Sequence, residues 1–266
     1  MSTKNDWALI LGASSGFGGA TAVELAKAGF HIFGVHLDRK ATMPLVEEVI
    51  QKIQAVGKQA IFFNMNAADE QKRREALDKM QAEMAQNGPD ASIRVLMHSL
   101  AFGSLTLYVA DDPAKEVDKA KMEMTLDVMA NSLVYWTQDL MRRKMMRSGG
   151  RIFAMTSSGG TRVWPNYGPV SAAKAALESH IRQLALELAP FGITANSIRA
   201  GVTDTPALRK IPGNEKMIEV AKERNPSGRL TTPEDVAKVI ALLTDERAQW
   251  ITGNVIGVDG GEDIVG

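Results

Sequence analysis

Seven short apolar segments alternate with longer segments of helical periodicity along the whole chain, and this alternation restricts the fold most. The short segments are too short for helices, and most end at glycine, asparagine or serine, so they predict strands. The predicted strands are Trp7–Leu11, His31–His36, Gln59–Met65, Arg94–His98, Arg151–Thr156, Thr194–Ile198 and Asn254–Val258.

The segments between the strands carry apolar residues every three or four positions, for example in residues 67–85 and 171–189. Regular alternation of strand and helix predicts an α/β chain with a Rossmann-type, doubly wound parallel sheet of about seven strands and helices on both faces. In such sheets ligands bind outside the carboxyl ends of the strands, so the residues that follow each strand are the candidates for a site.

Length and composition limit the number of domains and the classes of function that the chain can have. With 266 residues, 45% of them hydrophobic, the chain suits one domain over residues 1–266 with a sizeable core. Basic and acidic residues balance at 31 each, which gives no support to a nucleic-acid partner or a membrane surface. Cysteine is absent, which excludes disulfides and thiolate chemistry. The four histidines have no metal-ligand spacing, so we expect no metal.

The N-terminal residues lack the charged and apolar regions of a signal peptide, and no apolar run approaches the roughly 20 residues that span a bilayer. We therefore expect a cytoplasmic protein.

The segment after the first strand, GASSGFGGA, has the spacing Gly12-x3-Gly16-x-Gly18. Glycine permits a tight turn and lets backbone N–H groups approach a pyrophosphate, and the following helix offers its positive end to the same anion. Between a strand and a helix, this spacing predicts a dinucleotide site. The cofactor-binding candidates here are Gly12, Ser14, Ser15, Gly16, Phe17 and Gly18.

Ribose selectivity is usually determined after the second strand, where the chain reads HLDRKAT. An acidic side chain favours NAD by binding the ribose 2′-hydroxyl, whereas a basic one favours NADP by binding the 2′-phosphate. Both types are present, so the choice stays open, with a small preference for NADPH over NADH. The candidates are His36, Asp38, Arg39 and Lys40.

Polar and small residues follow the third and fourth strands. Asn66 either contacts the adenine or, like Asp69, caps the next helix. Small residues after the fourth strand would let the backbone pass close to the cofactor, whereas His98 is expected to be a packed, hydrogen-bonded residue. The cofactor-binding candidates are Asn66, Ala67, Ser99, Leu100 and Ala101.

With three further motifs, the chain resembles the short-chain dehydrogenase/reductase superfamily over nearly its whole length. These motifs are Ser157 at the end of the fifth strand with Tyr167 and Lys174 on the next helix, RAGVTDT after the sixth strand, and ITGNVIGVDGG near the C-terminus. The resemblance implies an NAD(P)H-dependent oxidoreductase.

Three positions depart from the common pattern of that superfamily. The tyrosine normally four residues before Lys174 is Val170, the usual helical asparagine is Met129, and the segment after the fourth strand reads HSLAFG. Tyrosine, six residues and lysine resemble the enoyl-acyl-carrier-protein reductases, closest to their NADPH-using members. Some of these carry a second tyrosine about ten positions before the first, where this chain has Ser157.

The displaced tyrosine suits a different reaction from ketone reduction. When a 2-enoyl thioester receives hydride at C3, negative charge develops on the thioester oxygen, several bonds from the reacting carbon. The hydrogen-bond donor must lie where that charge develops. Three residues along a helix shift a donor by roughly 4.5 Å at about 1.5 Å per residue. Pro169 suits a first helical turn, so Tyr167 is expected at or just before the helix start.

The resemblance assigns the remaining roles. Tyr167 would bind the thioester carbonyl and stabilise the enolate, Lys174 would hold the nicotinamide ribose and ease tyrosine ionisation, and Ser157 would bind substrate or water. Thr205 would reach the pyrophosphate or carboxamide, and Val202 would present its backbone to the carboxamide. The cofactor-binding residues in these later segments are Lys174, Gly201, Val202 and Thr205.

The sequence of residues 206–229 predicts a flap that covers the substrate. Its basic residues Arg209, Lys210 and Lys216 either form a solvated face or contact an acidic carrier protein. The resemblance implies a substrate on acyl-carrier protein in fatty-acid elongation and a homo-oligomer, a tetramer or dimer. Two alternatives remain: a 3-oxoacyl or other ketone/alcohol oxidoreductase, and a non-catalytic NAD(P)-binding regulator.

Overall fold

The computed structural model describes residues 5–265, so residues 1–4 and 266 of the predicted domain lie outside the described residues. Within residues 5–265, seven parallel strands form one sheet in the order β3-β2-β1-β4-β5-β6-β7. The strands are β1 (Asp6–Leu11), β2 (His31–His36), β3 (Ala60–Asn64), β4 (Ser92–His98), β5 (Arg151–Thr156), β6 (Thr194–Ala200) and β7 (Val255–Val258).

Helices cover both faces of the sheet, as the alternation predicts. On one face α1 packs between α2 and α8, and on the other face lie α3, α5 and α6. The helices are α1 (Gly16–Lys27), α2 (Met43–Ala55), α3 (Glu70–Gln86), α4 (Lys119–Leu126), α5 (Ser132–Arg142), α6 (Gly168–Leu188), α7 (Asn214–Arg224) and α8 (Pro233–Leu243).

The predicted strands are confirmed, with ends that differ by two residues or fewer. The helix predicted in residues 67–85 begins later, at Glu70, because the Asp69 side chain accepts the Lys72 N–H at 2.9 Å and caps it. The helix predicted in residues 171–189 begins earlier, at Gly168, because Pro169 fits its first turn.

The buried centre of the sheet lies at β1 and β5, whose residues are buried throughout. The strand order reverses between β1 and β4, so the chain crosses to opposite faces on either side of this point. A ligand is expected outside the carboxyl ends of the strands there.

Two further features bear on function. A π-helical segment, Asp127–Asn131, joins α4 to α5 and contains Met129. Between residues 5 and 265, none of the helices combines the length and hydropathy that a bilayer span requires.

Candidate active site

The glycine segment after β1 lies directly against the segment after β4. Gly12 has φ +92°, and an added β-carbon there would overlap the carbonyl oxygen of Ser99. A β-carbon at Gly18 would overlap the carbonyl oxygen of Gly12. The N–H groups of Gly12 and Ala13 both donate to the carbonyl oxygen of Val35, at 2.8 and 3.0 Å. Only glycine fits Gly12 and Gly18, because the neighbouring atoms belong to backbone.

The start of α1 suits an anion. Its N-cap residue, Ser15, makes no side-chain capping bond to the described part of the chain, and its first turn carries no acidic residue. Thr205, in the loop after β6, places its methyl carbon 3.5 Å from where a β-carbon on Gly16 would stand. Segments after β1, β4 and β6 therefore converge at a helix N-terminus, and this glycine-lined cradle fits a dinucleotide pyrophosphate.

Asp38 is held beside the glycine segment by several donors. Its Oδ2 lies 3.0 Å from Nδ1 of the buried His36. Partial burial raises the pKa of Asp38, but hydrogen bonds with Thr42, Ser14 and His36 outweigh burial and bring its pKa below the ordinary value. Asp38 is therefore a carboxylate at neutral pH. Asn64 fixes its backbone through bonds of 3.1 and 3.0 Å.

Two basic residues follow this carboxylate. Arg39 and Lys40 are exposed, and neither forms an ion pair with any residue between 5 and 265. The predicted ribose-binding segment thus has one carboxylate that is already hydrogen-bonded and two cations without a carboxylate partner in the described part of the chain.

The segments after β3 and β4 differ in exposure. Asn66 is exposed, and its Oδ1 accepts the Ala68 N–H at 3.0 Å, while Asp69 provides the helix cap. Ala67 is buried, and its carbonyl oxygen accepts the indole N–H of Trp136 at 2.8 Å. Ser99 and Leu100 are half-buried and Ala101 is exposed, at the same edge of the sheet as the glycine segment.

Tyr167 is the N-cap residue of α6, as expected from Pro169. Its ring packs over Gly159, where a β-carbon would collide with the ring. Burial raises the pKa of Tyr167, and a hydrogen bond with Ser157 partly opposes that shift. The Ser157 hydroxyl also accepts the Gly159 N–H at 3.1 Å. The phenol is therefore protonated at neutral pH and oriented by Ser157, as a hydrogen-bond donor requires.

Lys174 is buried on α6, about two turns after Tyr167. Its Nζ donates to the carbonyl oxygen of Met155 at 2.7 Å. Burial lowers the pKa of Lys174 to about 8, and the charge of Glu178 opposes that shift. Glu178 in turn accepts the Thr156 hydroxyl at 2.6 Å. Sequence reasoning missed Glu178, although its position four residues after Lys174 places both on one helix face.

The positions that depart from the superfamily pattern are packed together. Val170 and Met129 are buried in one apolar cluster, to which the partly buried Tyr167 ring also belongs. A β-carbon on Gly103, in the loop after β4, would lie 2.7 Å from Thr125 Cγ2, 2.8 Å from Met129 Sδ and 2.9 Å from Val170 Cγ2. The loop thus fills the space in front of Val170, and sequence reasoning missed the role of Gly103.

A second residue that sequence reasoning missed lies near the C-terminus. The Glu262 carboxylate accepts the Val202 N–H at 3.0 Å and lies close to Gly201. Burial raises the pKa of Glu262. The backbone N–H predicted for the carboxamide therefore has a carboxylate partner in this structure. Glu262 and Val202 are too far apart in sequence for any local pattern to reveal this contact.

His98 is a packed residue, as expected. It is fully buried at the end of β4, and its Nε2 lies 2.9 Å from the Ser132 hydroxyl. Burial lowers the pKa of His98 to about 3, so the ring is neutral. Between residues 5 and 265, no group of three or more His, Cys, Asp or Glu side chains could hold a metal ion.

Known proteins match the chain over most of its length. The model of the family described as Enoyl-(Acyl carrier protein) reductase matches residues 12–262. The 3-oxoacyl-[acyl-carrier-protein] reductase of Aggregatibacter actinomycetemcomitans is 35% identical over 95% of this chain and 97% of its own length. The 1-cyclohexenylcarbonyl-CoA reductase of Streptomyces collinus is 29% identical over 97% of this chain and 86% of its own.

Solved structures share the fold. The enoyl-[acyl-carrier-protein] reductase (NADH) of Aquifex aeolicus has a TM-score of 0.82 and 25% identity, covering 98% of this chain and 97% of its own. A short-chain dehydrogenase of Burkholderia cenocepacia in complex with NADP has a TM-score of 0.80 and 25% identity, covering 97% of this chain and 98% of its own. With the family match, these results show that the chain is an oxidoreductase of the short-chain dehydrogenase/reductase superfamily and belongs to its Enoyl-(Acyl carrier protein) reductase family.

Proposed function

We propose that the chain reduces the 2,3 double bond of 2-enoyl thioesters carried by acyl-carrier protein, as in fatty-acid elongation. One observation carries this proposal: the tyrosine that can donate a hydrogen bond, Tyr167, lies at the start of α6. The usual tyrosine position holds Val170, which is buried against Gly103. A donor displaced by about one helical turn suits an oxygen that lies several bonds beyond the carbon receiving hydride.

Each of the site residues has a role in this reaction. Bound NAD(P)H supplies the hydride. Tyr167, neutral and oriented by Ser157, donates to the thioester oxygen where negative charge develops. Lys174, buried and ending on the carbonyl oxygen of Met155, has further N–H groups to hold the nicotinamide ribose. The glycine segment and the start of α1 would hold the pyrophosphate.

For the cofactor we propose NADPH over NADH. The Asp38 carboxylate already forms hydrogen bonds with Ser14, Thr42 and His36. Because of these bonds it is a weaker candidate than a free carboxylate for binding a ribose hydroxyl. Arg39 and Lys40 are exposed beside it, and a ribose 2′-phosphate would supply the anion that both need.

The proposal extends to partners and location. Arg209 forms an ion pair with Asp204 at 2.7 Å, whereas Lys210 and Lys216 are exposed on the flap and could meet an acidic carrier protein. We further propose a homo-oligomer, a tetramer or dimer, in the cytoplasm.

A second candidate function is 3-oxoacyl reduction, because the relative from A. actinomycetemcomitans is named for that reaction at 35% identity. The S. collinus relative is named for a cyclic 2-enoyl thioester, which favours alkene reduction instead. Identity therefore does not separate the two reactions, and the packing of Val170 favours the first.

The test is a comparison of substrates with the purified full chain. Loss of absorbance at 340 nm is followed with a 2-enoyl thioester and with the matched 3-oxoacyl thioester, each with NADPH and with NADH. We expect oxidation with the enoyl compound and little with the 3-oxoacyl compound. Oxidation with the 3-oxoacyl compound alone would establish the second candidate. Cofactor binding without turnover on either would favour a regulator.

A further inference from the structure

Tyr108 lies beside the proposed reaction centre, although it is far from it in sequence. A β-carbon on Gly168, the residue after Tyr167, would lie 2.7 Å from Tyr108 Cζ, 2.9 Å from Cε1 and 3.0 Å from Cε2. The hydroxyl-bearing end of the Tyr108 ring therefore rests on the backbone of Gly168. The absence of a side chain at Gly168 makes room for this ring, since no positive φ requires glycine at that position.

The loop that carries Tyr108 is held at both its root and its tip. At the root, the Ser104 N–H donates to the Thr125 hydroxyl at 3.0 Å. Leu105 packs against the apolar cluster that contains Val170 and Tyr167. At the tip, Val117 donates to the carbonyl oxygen of Leu107 at 2.8 Å. These contacts keep the Tyr108 ring beside α6.

The tip of this loop presents apolar surface to solvent beside Gly168, the residue that follows Tyr167. Tyr108 is 50% exposed and the following Val109 is 82% exposed. The tip is nevertheless closed, because the Ala110 N–H donates to the Glu116 carboxylate at 3.0 Å. Exposed apolar side chains on an ordered loop at a site mouth are suited to contact a ligand.

We infer that Tyr108 determines acyl selectivity by restricting the space beside Tyr167 to unbranched 2-enoyl chains. This inference rests on the proposed function. A substrate whose carbonyl oxygen reaches the Tyr167 hydroxyl has its C2 and C3 atoms within a few bonds of that oxygen. Substituents on these carbons meet the Tyr108 ring, which cannot retreat onto Gly168 because it already touches that backbone.

The test compares two thioesters of acyl-carrier protein, crotonyl and 1-cyclohexenylcarbonyl, with the full chain and its preferred cofactor. The readout is the ratio of kcat/KM for the cyclic substrate to kcat/KM for the linear one. Tyr108→Ala is expected to raise this ratio about tenfold or more, within the range that pocket-size changes produce. Tyr108→Phe keeps the ring and is expected to leave the ratio unchanged.

Gly168→Ala is an independent way to move the same ring. Its β-carbon pushes the Tyr108 ring away from Gly168 and toward the C2 and C3 substituents, so the ratio is expected to fall even though Tyr108 is retained. An unchanged ratio in both Tyr108→Ala and Gly168→Ala, with wild type active on crotonyl thioester, overturns the inference and leaves the proposed function intact. If wild type reduces neither thioester, the proposed function fails and this inference with it.

Discussion

Two groups of glycines line the candidate site, and they differ in what they touch. In the cofactor half, Gly12 and Gly18 face backbone carbonyl oxygens of Ser99 and Gly12. In the substrate half, Gly103 and Gly168 face side chains, those of Thr125, Met129 and Val170 for Gly103 and that of Tyr108 for Gly168. The contacts of Gly12 and Gly18 join main-chain segments at the edge of the sheet. The contacts of Gly103 and Gly168 are made with side chains, so they depend on which residues the sequence has at those positions.

This difference explains how one fold serves several reactions. Main-chain contacts do not change with substitution elsewhere, so Gly12 and Gly18 are required whichever side chains line the substrate half. Side-chain contacts change whenever the partner changes, so the substrate half can be rebuilt. The relatives named for a 3-oxoacyl carrier-protein substrate and for a cyclic enoyl coenzyme A thioester match this chain over nearly its whole length.

The largest expected effect comes from Gly12→Ala. The new β-carbon would overlap the Ser99 carbonyl oxygen, and φ of +92° adds backbone strain. We expect cofactor affinity to fall at least about 100-fold in a fluorescence titration, or the fold to be lost. The matched control is Gly57→Ala, which has φ +75° and no described heavy atom within 4 Å of the new β-carbon. That variant should lose about 1 kcal/mol of stability and no cofactor affinity.

Gly103→Ala is the corresponding change in the substrate half. Its β-carbon meets the side chains of Thr125, Met129 and Val170, of which Met129 can adjust most readily. We expect the free energy of unfolding in urea to fall by about 1–3 kcal/mol, with cofactor affinity within about twofold of wild type. A loss of cofactor affinity as large as that of Gly12→Ala would contradict the distinction between the two groups of glycines.

Cofactor affinity should depend on pH through Lys174. Its pKa of about 8 lies below that of lysine in an unfolded chain, because burial disfavours the charge. Below about pH 8 the ammonium can hold the ribose, and affinity should fall by up to about tenfold from pH 8 to 9. Lys174→Met should bind weakly at every pH and lack this step. A wild-type affinity that stays flat to pH 9.5 would contradict the assignment.

The same shift has the opposite consequence for stability. Between about pH 8 and the ordinary lysine value of 10.5, the unfolded chain binds more protons at Lys174 than the folded chain does. The contribution of this group to the free energy of unfolding therefore rises with pH across that window.

The smallest effect is expected at the ribose. Arg39→Ala should weaken NADPH binding by about tenfold, since Arg39 is exposed and forms no ion pair within residues 5–265, and leave NADH binding unchanged. If Asp38→Ala instead weakens NADH binding while Arg39→Ala changes neither cofactor, Asp38 sets the selectivity and NADH is the cofactor.

Sequence reasoning predicted the parts of the molecule that local rules control. The strands end within two residues of their predicted ends, and Pro169 correctly places Tyr167 at the start of α6. Asp69 rather than Asn66 caps α3, because the Asn66 side chain accepts the Ala68 N–H in the turn before the helix. The sequence also predicted a tight, glycine-dependent turn after β1, and cofactor binding at that turn stays a prediction.

Contacts between distant segments were not predictable. Two contacts join segments that no sequence periodicity relates. The Glu262 carboxylate accepts the Val202 N–H, and the Tyr108 ring packs on Gly168. The π-helical segment around Met129 packs against α6, and no residue pattern in it signals this geometry. The shape of the substrate half therefore could not be predicted from sequence, since it depends on which side chains meet.

The most direct test of the central claim, that the donor has moved to the start of α6, is the Tyr167→Phe variant. Its rate of 2-enoyl thioester reduction is compared with wild type, with cofactor affinity and thermal unfolding as controls. We predict a rate lowered by about 100-fold or more with unchanged cofactor affinity, because Phe keeps the ring against Gly159 but loses the hydrogen bond to the thioester oxygen. A variant that reduces the enoyl thioester at the wild-type rate would contradict the account.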